Sequence, residues 1–446
     1  MKKLILFGFV AALVLTGCSN TGSGELVGVQ QRENWFEPDP YGMVKIPTGS
    51  FVVGAQDEDI TFSMNTQAKT ISVDAFWMDE TEITNNEYRE FVHYVKDSMI
   101  REKLGEEYDA EEFLIEEDEY GNPIEPPFLN WDARINPRQE EVAEVIDQFF
   151  IPENERFFRR KELDTRKFIY QYQDIDYKAA AAERRNPQRK IMNSDGTETF
   201  FEDEELISDR SKFVKTYRLN IYPDTLAWIS DFTYSYNDPL TKMYFWHPGF
   251  DDYPVVGITW EQAKAFAIYR TEKLNNQLAK DNSGAFVQNF RLPTEHEWEY
   301  ASRGGRNLTM YPWGGPYTTD DKGCFLANFK PRRGNYVDDG FIKPSPVGSY
   351  EPNDYGLYDM AGNVAEWTNS AFDESTYSFT HDMNPNYEYN AMPDEPAVMK
   401  RKVVRGGSWK DIAYFLQTGS RSYEYQDSAK SFIGFRLVRS TMGIDN

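Results

Sequence analysis

The sequence predicts an α+β fold of short helices and strands joined by many turns, interrupted by a long charged segment. Three observations carry that reading. Thr84, Thr259 and Thr294 each place a hydroxyl at a helix start with an acidic or amide side chain three residues on (Glu87, Gln262, Glu297), which satisfies orphan amides reciprocally. Strand-like runs occur at Met43-Val44-Lys45-Ile46 and Phe51-Val52-Val53, separated by Pro47 and the Gly49 turn. From Val255 onward the chain is dense in Gly, Trp and short turns, and no repeat of fixed period is apparent.

At the N-terminus, Lys2 and Lys3 precede an apolar run from Leu4 to Leu15, the layout of a secretory signal too short to span a bilayer. The run closes on Leu15-Thr16-Gly17-Cys18, which resembles the bacterial lipobox. Residues 1–17 are therefore expected to be removed, with Cys18 acylated as the first mature residue. Ser19 after the cysteine, in place of an inner-membrane retention Asp, points to the outer membrane. Residues 18–40 read as an acylated N-terminus and flexible tether, Gly/Ser/Thr-rich from Ser19 to Gly24.

After the first strands, the helix from Thr84 carries Tyr88, Phe91, Val92 and Val95 on one face, and the helix from Thr259 carries Ala263, Phe266, Ala267 and Arg270. Pro293 stiffens the entry to the third helix and Gly304-Gly305 ends it. Between the first two helices, residues 95–246 form a charged, Tyr-rich insertion. Residues 96–254 hold 21 basic and 36 acidic side chains, more than half of the formal charge of −25. Within that span, 101–150 is strongly acidic and 151–190 is basic. The acidic run from Glu111 to Glu119 reads as a solvated face, and Lys178 to Arg185 as an exposed basic helix. Insertion aromatics are expected in core packing, and deleting residues 100–240 is expected to abolish partner binding while leaving the core folded.

Composition excludes several classes. The acidity argues against the wide basic face that nucleic acid or an anionic bilayer would require, and nucleic acid is not expected as a partner. Two cysteines, Cys18 and Cys324, and four scattered histidines exclude a disulfide scaffold and a thiolate zinc site, so any metal is expected to be held by oxygen. Cys324 is expected to be a small buried apolar residue. Glu295, Glu297 and Glu299 fall in the first turns of the third helix, where negative charge complements the helix dipole.

Five motifs then occur in order. They are Arg291-Leu292-Pro293-Thr294-Glu295-His296-Glu297-Trp298 running to Arg303-Gly304-Gly305, Tyr311-Pro312-Trp313-Gly314, Gly356-Leu357-Tyr358-Asp359-Met360-Ala361-Gly362-Asn363-Val364-Ala365-Glu366-Trp367, Val404-Arg405-Gly406-Gly407-Ser408-Trp409, and Gly434-Phe435-Arg436-Leu437. With Met43 to Phe51 and Phe76-Trp77-Met78-Asp79-Glu80-Thr81-Glu82-Ile83-Thr84-Asn85, they resemble the formylglycine-generating enzyme, or sulfatase-modifying factor, family. The resemblance covers residues 41–94 and 247–440. It implies that family's variant of the C-type-lectin-like fold, low in regular secondary structure.

The family's oxidases use two cysteines shortly after the Gly-Gly-Ser motif to bind copper and attack a substrate thiol. Here those positions hold Asp411 and Leu416, neither of which replaces a thiolate as Cu(I) ligand or nucleophile. The expectation is a pseudoenzyme with no catalytic residues and no copper. The resemblance also implies two structural calcium sites. One would use Asn328, the Phe329 carbonyl, Asp339 and the Phe341 carbonyl; the other would use Asp359, the Gly362 and Val364 carbonyls, and Glu366. A filled cleft around Trp409, Phe415 and Leu416 would argue against a surviving enzyme, whereas polar groups around Asp411 in an open cleft would argue for one.

The whole layout, with lipobox, acidic insertion and missing thiols, resembles the gliding-motility lipoproteins of type IX secretion. That implies self-association into a periplasmic ring with a GldN (PorN)-like protein, on the periplasmic face of the outer membrane, with peptidoglycan a further candidate partner. An enzyme modifying periplasmic substrates is the rival reading.

Overall fold

The computed structural model describes residues 37, 39–54, 68–117, 120–175, 180, 188–192, 198–202, 213–232, 238–281, 286–331, 335 and 337–442. Cys18, the tether to Gly24 and nearly all of Lys178–Arg185 lie outside them.

Strand β1 (Met43–Ile46) leads through a turn to β2 (Gly49–Val53), which pairs antiparallel with β3 (Lys69–Val73). Strand β4 (Phe76–Asp79) is buried at all four positions, as befits a strand with neighbours on both edges. Helix α1 (Asn85–Glu107) begins at Thr84 with both halves of its capping box formed, and it buries Tyr88, Phe91, Val92 and Val95. It continues for 23 residues, so the insertion boundary expected near residue 94 falls inside it. Strands β5 (Ile169–Ile175) and β6 (Val214–Asn220) form an antiparallel hairpin in the segment expected to be an insertion.

Helix α2 (Trp260–Lys280) and helix α3 (Glu295–Ser302) also start on complete capping boxes, at Thr259 and Thr294. Between them, β7 (Phe290–Arg291) joins the first sheet. Strands β8 (Ala365–Ala371), β9 (Arg401–Arg405), β10 (Ser422–Tyr425) and β11 (Ile433–Gly434) form a second sheet, and β12 (Val438–Ser440) returns to the first. The first sheet runs β1-β4-β12-β7 and is antiparallel; the second runs β10-β9-β8-β11, with only the β8–β11 pair parallel. This is the α+β architecture expected, with little regular structure.

The largest core cluster is shared between the two expected segments. Phe168, Tyr170, Tyr172, Ile221 and Phe245 pack with Tyr88, Phe91, Phe266 and Tyr269 of α1 and α2 and with Phe435. Tyr170 meets Phe91 edge-on at 5.1 Å and donates to Glu272 Oε2 at 2.9 Å, and Tyr88 donates to the Ile221 carbonyl at 2.9 Å. The β5–β6 hairpin is therefore part of the core, which argues against removing residues 100–240 without unfolding the rest. Sequence charge hid this, because the hairpin alternates Tyr170 and Tyr172 inward with polar residues outward.

Deleting residues 100–240 is expected to abolish the cooperative thermal transition. Replacing only 176–213 with an Asn-Gly turn should preserve it, because Ile175 and Val214 are directly opposite in the ladder. Circular dichroism melts of the two variants check both outcomes.

Candidate functional site

The Gly406-Gly407-Ser408 turn sets the region where the family's thiols would lie. Both glycines have left-handed backbones, with φ of +88° and +68°. A Cβ on Gly407 would sit 2.8 Å from the Phe415 carbonyl oxygen, and one on Gly406 would press on the Trp298 ring at 3.1 Å. Only glycine fits both the angle and the space.

Beyond the turn, Asp411 Oδ2 accepts from the Ser408 amide at 3.0 Å and from its hydroxyl at 2.6 Å, and the Asp411 amide donates back to the Ser408 carbonyl at 2.9 Å. Its carboxylate is engaged in closing the turn. Leu416 is fully buried among Tyr311, Ala327, Phe329 and Ala361. Trp409 fills a neighbouring cluster with Trp228, Tyr244, Val256 and Val364. Phe415 differs from the expectation and lies 39% exposed at the surface. Asp411 thus locks the turn, and Leu416 is a core side chain.

In the first expected ion site, Asp339 is bonded to the backbone of two of the other residues. Asp339 accepts from the Phe329 amide at 2.8 Å and the Phe341 amide at 3.3 Å, which brings its two loops together. Asn328 is buried and donates to the Lys343 carbonyl at 3.1 Å, while its Oδ1 has no hydrogen-bond partner among the described residues. Burial holds the Asp339 carboxyl above its ordinary pKa. An orphaned amide oxygen and a partly buried carboxylate are each the kind of oxygen ligand a hard cation takes.

The second set is more crowded. Glu366 is bound on both oxygens by Arg436, at 2.7 to 2.9 Å, and also accepts from Trp298 Nε1 at 2.6 Å. Asp359 accepts from the Gly348 amide at 2.7 Å, and burial pushes its carboxyl up to about 6. A third carboxylate, which sequence reasoning missed, is Glu82, fully buried and bonded to the Val364 amide at 3.0 Å and to Asn363 Nδ2 at 2.6 Å. Burial, then Asp359 and Glu366, hold Glu82 well above its ordinary pKa. Three carboxylates thus share Arg436. Glu366, already neutralised by that guanidinium, fits a metal poorly, whereas Asp359 retains capacity. Among the described residues, no three or more His, Cys, Asp or Glu side chains are arranged to hold a metal, so either site would depend on amide and carbonyl oxygens.

Two other expectations change. Cys324 is exposed, on a turn closed by Asp320 Oδ1 accepting from its amide at 2.7 Å. Glu295 and Glu299 are paired in the interior, with Arg421 at 2.8 Å and with Arg303 and Arg405 at 2.7 and 2.6 Å, and Glu297 pairs with the partly exposed Arg291 at 2.6 Å. Glu295 and Glu297 also lie in the first turn of the helix as expected, and Glu297 completes its capping box.

A model of the sulfatase-modifying factor enzyme 1-like domain matches residues 31–156 and 211–441. The chain belongs to that family. A model of the prokaryotic membrane lipoprotein lipid attachment site matches residues 1–19, including Cys18, which marks this family member as a membrane-anchored lipoprotein. The inactive C-alpha-formylglycine-generating enzyme 2 of Bos taurus is 32% identical over 193 residues, 42% of this chain and 50% of the relative. The chain thus spans about half the length of that relative. The formylglycine-generating enzyme of Bos taurus is 24% identical over 405 residues, 90% of this chain and 75% of that one. Among solved structures, PvdO from Pseudomonas aeruginosa is similar with a TM-score of 0.45 at 16% identity, covering 90% of this chain and 94% of that one.

Asp359 gives a signed pH dependence. Its folded value of about 6 lies above the ordinary 3.8, so the folded chain holds a proton that the unfolded chain releases over this interval. Stability from this group is highest below about pH 4 and falls as pH rises through about 6, by roughly 3 kcal/mol. In chelator, Asp359→Asn is therefore expected to be more stable than wild type at pH 7.5, with the gap closing toward pH 4. Urea titrations at the two pH values measure it.

Proposed function

We propose that this chain is a non-enzymatic outer-membrane lipoprotein of the GldK (PorK) type, a structural component of the periplasmic ring of type IX secretion and, in gliding species, of gliding motility. Its ring partners would be further copies of itself and a GldN (PorN)-like protein. What carries the non-enzymatic part is Leu416, a core side chain where a thiolate would have to face substrate, together with Asp411 closing the Ser408 turn. The relatives named inactive support the same reading, and the lipid attachment match supports an anchored scaffold. The sister lipoprotein GldJ shares the domain, and partner identity separates the two.

Cross-linking in intact cells followed by identification of partners tests the assembly. A GldN-like protein and copies of this chain are expected; their absence overturns the ring assignment. Protein carrying Cys18→Ser is expected to give no copper-dependent, oxygen-consuming conversion of a cysteine peptide, and clear turnover would show an enzyme.

We further propose structural calcium at Asn328, Asp339 and the Phe329 and Phe341 carbonyls, where it would tie two loops together. Chelation is then expected to lower the melting temperature, and excess calcium to restore it. An unchanged midpoint would mean that these are turn residues alone.

A further inference from the structure

One surface segment stands apart from this acidic protein. Residues 156–167 contain six basic side chains, Arg156, Arg159, Arg160, Lys161, Arg166 and Lys167, against two acidic ones, Glu162 and Asp164. Four of the six are engaged locally. Arg156 donates to the Ile151 carbonyl at 2.8 Å, Lys161 pairs with Asp147 and lies over the Phe150 ring, Arg166 pairs with Asp164 and Glu155, and Lys167 donates to the Gln148 carbonyl at 2.5 Å. Arg159 and Arg160 are exposed and make no ion pair or hydrogen bond among the described residues.

Between these bases, Phe158 stands 81% exposed. Phe158 and Arg159 also have left-handed backbones, with φ of +51° and +56°. A bulky residue rarely adopts that conformation, and two in succession store strain that a glycine would relieve. The local fold holds an apolar ring outward at that cost and places unpaired guanidinium groups beside it.

We propose that this loop is a second membrane contact, in which Phe158 enters the interfacial region of an anionic bilayer while Arg159 and Arg160 meet headgroup phosphates. The inference rests on the lipid attachment match, which puts a bilayer close by. The roughly 20 residues between Cys18 and the folded domain reach at most about 70 Å when fully extended. Within that radius the effective lipid concentration is high, so a weak contact suffices to orient the domain. Guanidinium groups suit phosphate by charge and by fork geometry, and the acidic remainder of the surface would be repelled by the same leaflet. The contact would therefore select one face of the domain toward the membrane.

The test uses the mature chain with Cys18→Ser, so that the acyl anchor does not mask the loop. Co-sedimentation is measured with phosphatidylethanolamine vesicles with and without phosphatidylglycerol. Binding is expected only with phosphatidylglycerol, weakening with salt. Replacing both Arg159 and Arg160 with Ser should weaken it about thirtyfold, at the usual contribution of a basic residue near an anionic surface. Phe158→Gly should lose binding while its melting temperature holds or rises, because glycine accepts the left-handed backbone. Wild-type protein that ignores the anionic vesicles, variants that bind as wild type does, or a Phe158→Gly variant that melts markedly lower would overturn the proposal. So would binding to purified peptidoglycan sacculi in place of vesicles.

Discussion

The fold depends on arginine–carboxylate pairs buried where a smaller domain would place only hydrocarbon. Side chains at alternate positions of α3 project to different sides, and each glutamate there finds an arginine from elsewhere in the chain. Glu295 meets Arg421, Glu297 meets Arg291, and Glu299 meets Arg405 as well as Arg303 on its own helix. Burial pushes the Glu299 carboxyl up, but Arg405 and Arg303 more than offset it, so it stays below its ordinary pKa. Replacing a whole buried pair with hydrocarbon can be neutral, whereas removing one member strands a charge at a cost of about 3–5 kcal/mol. Such pairs therefore specify which segments meet more than they stabilise the meeting.

The same arginines explain how a chain with so little regular structure satisfies its backbone. Arg436 donates to the carbonyls of Asp79, Glu80 and Tyr358 while holding Glu366. Arg405 donates to Thr418 and Ser420, and Arg303 to Gly54 and Thr309. Asn353 closes another junction on the Ala301 carbonyl, at 2.8 Å. In a sheet or long helix these carbonyls would be paired by neighbouring amides. Here guanidinium forks reach several loops at once, and buried polar groups are paired without a ladder.

Local signals were legible in the sequence because their partners lie three residues away. The boxes at Thr84, Thr259 and Thr294, the apolar face of α1 and strands β1 and β2 all belong to this class. What stayed hidden depends on distant partners. Glu295 and Glu299 resemble dipole charges until Arg421 and Arg405, more than a hundred residues on, are placed beside them. Glu82 looks like an ordinary acidic residue before helix α1, yet it reaches Asn363 and Val364. Tyr170 and Tyr172 are buried as expected of insertion aromatics, but only the pairing of β5 with β6 shows that their core is the one shared with α1 and α2. Cys324 was misjudged for the opposite reason, since residue type favours burial but a turn held by Asp320 carries it outward.

The positions of Asp411 and Leu416 stand apart from this architecture, because none of the long-range ion pairs described above passes through them. The Gly-Gly-Ser turn is shaped by close approach to Trp298 and Phe415, and Asp411 closes it with a short-range bond. Leu416 then adds apolar contact with Tyr311 and Phe329, where a reactive group would have had to remain open to solvent. A position that serves catalysis must be presented to a substrate and is often strained; one freed from that demand can collapse into the core. Backbone strain also occurs away from this turn, as in the exposed left-handed pair Phe158 and Arg159. Interior charge is paired through α3 and Arg436, while charge along the sequence is uneven, acidic before residue 150 and basic just after it. That division leaves the surface as the part of the molecule with interactions still to make.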